Sequence, residues 1–275
     1  MWTLSGFADE ISPDLDVQCR VLTELGIRHI EFRSAWQTNV LDLDDQQLAA
    51  AAGTLDRNGI ATSSVGSPIG KIGIGDDFDA HLVRFDRALH VAKVLGAPFI
   101  RLFSFFIPEA DTPDAYREEV LRRMSALADR ARGHDVVLLH ENEKVIYGDV
   151  PARCLDLVES VGSEQFKLAW DAANFVQCGV RPYTEAYDLL RPHVEYIQIK
   201  DALLADGTVV PAGEGDGEVA QTIAALRADG FDGFFSMEPH LAAAGTFGGF
   251  SGEDLFATAT RAFTAILDDQ AISYR

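Results

Sequence analysis

Four stretches of this chain run apolar and then end on a polar oxygen ligand. They are Val136-Val137-Leu138-Leu139-His140-Glu141-Asn142-Glu143, Lys167-Leu168-Ala169-Trp170-Asp171, Val194-Glu195-Tyr196-Ile197-Gln198-Ile199-Lys200-Asp201 and Phe234-Phe235-Ser236-Met237-Glu238. A short apolar run of this kind describes a strand covered on both faces, as in a parallel sheet. Buried charge is costly unless it is paired or bound to a cation, so such endings mark a site rather than a core. Glu141, Asp171, Gln198 and Glu238 converge if the four strands share one carboxyl edge. Three carboxylates brought together cannot all stay ionised without a compensating cation. An oxygen-rich set without thiolates suits one divalent ion, Mn²⁺ first, with Mg²⁺ and Co²⁺ as alternatives. The competing reading is a structural network in which Arg33, Arg101 or Lys200 supplies the positive charge.

The remaining elements must bring those ends together. Thr3–Ala8, His29–Phe32, Ile60–Val65 and Phe99–Phe103 are four further short strands. Helical spacing follows each. Leu15, Cys19, Leu22 and Leu25 keep it after Ser12-Pro13, Asp44 caps a helix carrying Leu48, Ala52 and Leu55, and Phe78, Leu82, Phe85, Leu89 and Ala92 form the clearest stripe. Further helices are expected at about Asp114–Arg132, from Pro151 through Val161, over Pro182–His193, around Val219, Ile223 and Leu226, and over Glu253–Leu267. Eight strands alternating with eight helices predict an α/β fold, a single (β/α)8 TIM barrel spanning residues 1–275 as one domain. No Gly-x-Gly-x-x-Gly follows the first strand, so a dinucleotide fold is not supported.

Composition narrows the partners. With 23 basic and 43 acidic residues the formal net charge is −20, which opposes binding to nucleic acid or to an anionic membrane surface. No 18-residue apolar run and no signal peptide are evident, and Cys19, Cys154 and Cys178 suit buried thiols in a reducing compartment. A cytoplasmic protein is expected, and a homo-oligomer is compatible with the sequence.

Leu139-His140-Glu141-Asn142, Trp170-Asp171-Ala172-Ala173-Asn174-Phe175, Tyr196-Ile197-Gln198-Ile199-Lys200-Asp201 and Met237-Glu238-Pro239-His240, in this order, resemble the xylose-isomerase-like barrel superfamily of sugar isomerases and epimerases. Gly213-Glu214-Gly215 is similar to the segment after strand seven in that family. The resemblance implies one divalent metal held by Glu141, Asp171, Glu238 and the strand-seven residue. There the family usually has histidine and this chain has Gln198. It further implies that Glu141 and Glu238 form an acid/base pair that moves a proton beside the carbonyl of an open-chain sugar.

The expected activity is therefore a metal-dependent isomerase or epimerase acting on a small sugar or glycoside, without phosphate. The loops after strands seven and eight carry Glu214, Asp216, Glu218 and Glu238 where a dianion would have to bind. The alternatives are a lyase of the same superfamily, like a C-glycoside deglycosidase or a keto-inositol dehydratase, and a non-catalytic sugar-binding barrel with a decayed metal site. Glu31, Arg101, Asn174 and His240 are candidate substrate contacts, and His140 is assigned a packing role. Lys200 and Asp201 are expected to pair with each other. Phe7, Trp36, Phe103, Phe105, Phe106, Phe175 and Phe247 are expected near the mouth, and Gly66–Gly75 and Gly245–Gly249 are lid candidates.

Overall fold

In the computed structural model, residues 1–245 and 248–275 are described. Eight parallel strands form the centre: β1 (Thr3–Gly6), β2 (His29–Phe32), β3 (Ala61–Val65), β4 (Phe99–Leu102), β5 (Val137–Glu141), β6 (Phe166–Asp171), β7 (Val194–Ile199) and β8 (Phe234–Met237). Ladder bonds run in the order β1-β8-β7-β6-β5-β4-β3-β2, and β1 packs beside β2, giving a nearly closed (β/α)8 barrel. The expected strands are all present, shortened by a residue or more at β1, β3, β4 and β5.

The helices start and stop where local chemistry provides for it. The Asp14 carboxylate accepts from Asp16 and Val17 N–H at the start of α1 (Leu15–Glu24). Asp44 and Gln47 form a reciprocal capping box on α2 (Asp45–Arg57), and Asp77 caps α3 (Phe78–Leu95), which ends at Gly96 with φ 63°. Then come α4 (Arg117–Ala131) and α5 (Pro151–Val161). A short α6 (Ala172–Gln177) leaves β6 directly, with Asp171 as its cap. The helix expected over Pro182–His193 is instead a π-helical turn, Pro182–Tyr187, running into α7 (Asp188–Leu190) and a 3₁₀ turn. Two prolines inside twelve residues interrupt the regular ladder there. The circuit closes with α8 (Val219–Ala228) and α9 (Gly252–Asp269).

The barrel interior changes character from bottom to top. Leu139, Ala169 and Tyr196 pack with Phe99, Val137 and Phe234 near the strand starts. Above them, the Ser63 hydroxyl lies 2.6 Å from Ser5 Oγ and 2.9 Å from the Tyr196 hydroxyl. This layer satisfies its own polar groups and leads up to charged residues at the carboxyl ends. Among the described residues no helix is long and apolar enough to cross a membrane.

Candidate active site

Asp171 and Gln198 stand at the same level of the sheet, as register partners in β6 and β7, while Glu141 ends β5 and Glu238 follows β8. One ligand oxygen from each of Glu141, Asp171 and Glu238 lies within 4.8 Å of the others, and all three residues are buried. The structure therefore brings the expected carboxylates together.

Three cations enter the same cluster. Arg101 reaches up from β4, with its guanidinium 3.0 Å from Glu141 Oε2. Arg33, just past β2, lies 3.0 Å from Glu238 Oε1 and 2.8 Å from Asp9 Oδ2. Lys200 Nζ is 2.8 Å from Asp171 Oδ2 and 3.1 Å from Glu238 Oε2. The expected Lys200–Asp201 pair does not form. The Asp201 carboxylate instead accepts the backbone N–H groups of Ala202, Gly213, Gly215 and Gly217, wrapping the glycine-rich loop around itself. Side chains alternate along a strand, so Lys200 shares the inward parity of Gln198 while Asp201 falls on the other side.

These contacts set the charge states. Burial pushes Asp171 up to about 7, with Lys200 opposing and Glu141 and Glu238 adding. Burial also acts against the charge of Glu238, yet Lys200, His240 and Arg33 hold its carboxyl well below the usual range. Lys200 is raised well above its ordinary value, because Asp171, Glu238 and Glu141 outweigh its burial. Six carboxyl groups, Asp9, Glu10, Glu31, Glu141, Asp171 and Glu238, surround the three permanent cations Arg33, Arg101 and Lys200.

The amides complete the arrangement. Gln198 Nε2 donates to Glu141 Oε2 at 3.0 Å, and Gln198 Oε1 is buried with no hydrogen-bond partner among the described residues. Asn174 Nδ2 donates to Glu141 Oε1 at 3.1 Å, and the Asn174 backbone N–H donates to Asp171 Oδ1 at 2.8 Å. Asn142 locks β5 to β6 by exchanging two bonds with the Asp171 backbone. Three converging buried carboxylates are a donor set that fits a hard divalent cation.

The remaining candidates divide. Asn174, Lys200 and His240 line a cleft of about 370 Å³ with Glu143, Lys144, Phe106, Val145, Val209 and Gly245. Arg101 lies beneath that cleft, and Glu31 is enclosed in the barrel interior, where burial raises its carboxyl to about 7 against the pull of Arg101. His140 faces Ser104 Oγ at 2.9 Å, outside the carboxylate cluster, and burial lowers it to about 3. Of the aromatic residues, Phe106 lines the cleft and Phe7 and Phe103 lie under the Arg101 guanidinium, whereas Phe105 packs with Phe78 and Phe175 with Trp170. Trp36 is partly exposed, and Phe247 lies outside the described residues. The Gly66–Gly75 segment is fastened to 103–106 by four backbone bonds and by the Gly70 N–H on His81 Nε2, so it is a fixed wall rather than a lid. A wider groove of about 820 Å³ lies at the opposite end of the barrel, between Lys93, Phe99, His134 and Gln165. It is remote from the carboxylates, and barrels of this kind react at the carboxyl end.

Sequence reasoning missed Asp9 and Glu10, which follow the first strand and pair with Arg33 and His240. The signal was available: β1 also runs apolar into two acids, as the four opening stretches do.

The chain is 33% identical over 142 residues to the 2-epi-5-epi-valiolone 7-phosphate 2-epimerase of Actinoplanes sp., covering 51% of this chain and 50% of that protein. The chain thus matches about half the length of that curated relative. The probable 3-DHS dehydratase AsbF of Bacillus anthracis superposes with a TM-score of 0.74 at 18% identity, over 96% of this chain and 98% of that one. A xylose isomerase-like TIM barrel protein from Mycobacterium smegmatis, in complex with magnesium, gives 0.71 at 20% identity, over 98% and 96%. Residues 19–262 carry the family pattern itself, and the chain belongs to the xylose isomerase-like TIM barrel family.

Proposed function

We propose that this protein is a divalent-metal-dependent isomerase or epimerase that moves a proton at the carbon beside a sugar carbonyl. The observation that carries the reading is the convergence of Glu141, Asp171 and Glu238, with the Gln198 amide bonded to Glu141. Those four residues would hold the metal, and when bound it supplies positive charge for a carbonyl oxygen and the enediolate that follows. Mn²⁺, Mg²⁺ and Co²⁺ all suit such oxygen donors; the magnesium-bound neighbour supports the hard-cation class.

The chain's own residues divide the proton work. Glu238 is kept ionised by Lys200, His240 and Arg33, so it stands unprotonated at the cluster as the group that accepts the proton. Glu141, held by Arg101, Gln198 and Asn174, faces it across the cluster and returns a proton to the neighbouring position or to the opposite face. Asn174 and His240 border the cleft and would orient substrate hydroxyls; Arg101 and Glu31 support the cluster from below. Because Arg33, Arg101 and Lys200 already pair with these carboxylates, a binding-only barrel is separated from the enzyme by the exchange assay below and not by the cost of burial.

The test is incubation in ²H₂O with unphosphorylated ketoses and 3-keto glycosides, with Mn²⁺ or with EDTA. Metal-dependent deuterium incorporation beside the carbonyl is expected, and its loss in Glu238→Gln. Loss of water or of an aglycone after the same exchange would assign the lyase variant of this chemistry. Absence of exchange with every sugar in the presence of Mn²⁺ would remove the reading.

A further inference from the structure

Glu10 lies on the 3₁₀ turn Ala8–Glu10 just after β1 and is fully buried. Arg33 lies 3.8 Å from its Oε1, and its other side-chain contacts run to the far end of the barrel sequence. Oε2 accepts the His240 backbone N–H at 2.8 Å and the Ser251 hydroxyl at 3.0 Å. Oε1 lies 3.2 Å from His240 Nε2, and the Glu10 carbonyl accepts the Ser251 N–H at 2.9 Å. His240 Nε2 is in turn 3.4 Å from Glu238 Oε1. The same Ser251 hydroxyl accepts the Leu241 N–H at 3.0 Å.

Between Leu241 and Ser251 runs a small antiparallel hairpin, Ala243–Gly245 with Gly248–Phe250. Its described glycines lie close over the charged network. A Cβ at Gly249 would run into the His240 ring, and one at Gly248 into the Arg33 guanidinium. Ala244 and Gly245 border the cleft. His240 holds a backbone φ of 48°, a conformation costly for a residue other than glycine, and both its N–H and its ring are gripped by one carboxylate.

We propose that Glu10 is a positioning residue: it fixes His240 against Glu238 and pins both ends of the hairpin that borders the cleft. A carboxylate suits the task because Oε2 accepts a backbone N–H and a hydroxyl while Oε1 sets negative charge 3.2 Å from the His240 ring, which neither alanine nor a hydroxyl residue can do. Glu10 reaches substrate only through His240 and Glu238. Its effect on turnover rests on the proton-transfer reading above; its effect on the hairpin does not.

Hydrogen–deuterium exchange on the full chain reads the clamp directly. Glu10→Ala should speed exchange within 240–251 by roughly tenfold or more while α3 and α4 keep wild-type rates. Glu10→Gln retains an acceptor oxygen for the His240 N–H and should keep the segment near wild type. On a sugar the wild type turns over, Glu10→Ala should lower kcat more than it changes KM, and Glu10→Gln should recover part of that loss. Unchanged local exchange in Glu10→Ala, equal acceleration over the whole chain, or no rescue by glutamine would each overturn the proposal. If Glu10→Ala does not fold, Ser251→Ala removes only the bridging hydroxyl. Faster exchange confined to 240–251 supports the clamp, and an unchanged rate there overturns it. Should the wild type act on no sugar, the functional reading fails while the exchange result still decides the clamp.

Discussion

Lys200 Nζ stands 2.8 Å from Asp171 Oδ2, inside the cluster of carboxylates that would also hold a metal. The ammonium is a resident cation: it supplies part of the charge that a bound divalent ion would otherwise supply alone. Asp171 nonetheless stays raised to about 7, so one lysine does not satisfy the cluster.

Removing that lysine should therefore expose the need for metal. Lys200→Met leaves Asp171 and Glu238 without their shared partner, and breaking a buried pair from one side costs about 3–5 kcal/mol. In EDTA the variant should melt well below wild type, and Mn²⁺ should raise its melting temperature by more than it raises that of wild type. Differential scanning calorimetry with and without Mn²⁺ measures both. Equal melting in EDTA would show that the lysine is not a structural counter-ion.

Glu31 predicts a pH dependence of stability. Burial raises its carboxyl from 4.5 to about 7, so between those values the folded state holds a proton that the unfolded state has released. Stability contributed by this group is therefore full below the unfolded pKa and is lost as pH rises toward 7, levelling above it. The size is on the order of 2–4 kcal/mol. Glu31→Gln should match wild type in urea unfolding at pH 4 and exceed it at pH 8. A variant weaker than wild type at pH 8 would mean that Glu31 is held ionised by Arg101.

The barrel was legible because its strands are short, apolar and regularly spaced, and because glycine and aspartate punctuate the helices. The clustered carboxylates were legible because a charge ending a doubly covered strand has few bland explanations. Depth was harder to read. Arg101 and Glu31 sit below the mouth because barrel strands are staggered, and position along one strand does not fix height in the barrel. The Lys200–Asp201 expectation failed for a simpler reason: adjacent residues on an extended segment point to opposite sides. Glu10 carried a local signal in the acids after β1, but its partners, more than two hundred residues away, could not be read from it.

Gln198 predicts a split between metal affinity and turnover. Its amide N–H₂ donates to Glu141, and its oxygen is buried with no hydrogen-bond partner among the described residues. Gln198→His offers a stronger donor to a transition metal and should tighten Co²⁺ or Mn²⁺ binding by about tenfold, or ~1.4 kcal/mol. It also deletes the hydrogen bond to Glu141 Oε2, so turnover should fall. Metal titration of apo protein, followed in parallel with activity, checks both. A folded variant that binds metal more weakly would show that the amide is not a ligand.

The last prediction concerns phosphate, which the Actinoplanes relative's name places on its substrate. In this chain the cations about the cleft are already engaged. Lys71 lies 3.4 Å from Glu143, Lys144 donates to Gln177 at 2.8 Å, and Lys200 is shared by Asp171 and Glu238. At the start of α8, where many barrels hold a phosphate group, Glu218 instead accepts from Thr184 through both carboxylate oxygens. A dianion would have to displace these partners and meet the remaining acidic groups. An unphosphorylated ketose or keto-glycoside should therefore show the higher kcat/KM, and its phosphate ester should compete weakly, improving as salt screens the repulsion. Competition assays at low and high ionic strength measure this. A phosphate ester preferred at low salt would reverse the assignment and move the search to a cationic pocket formed by Lys71 and Lys144.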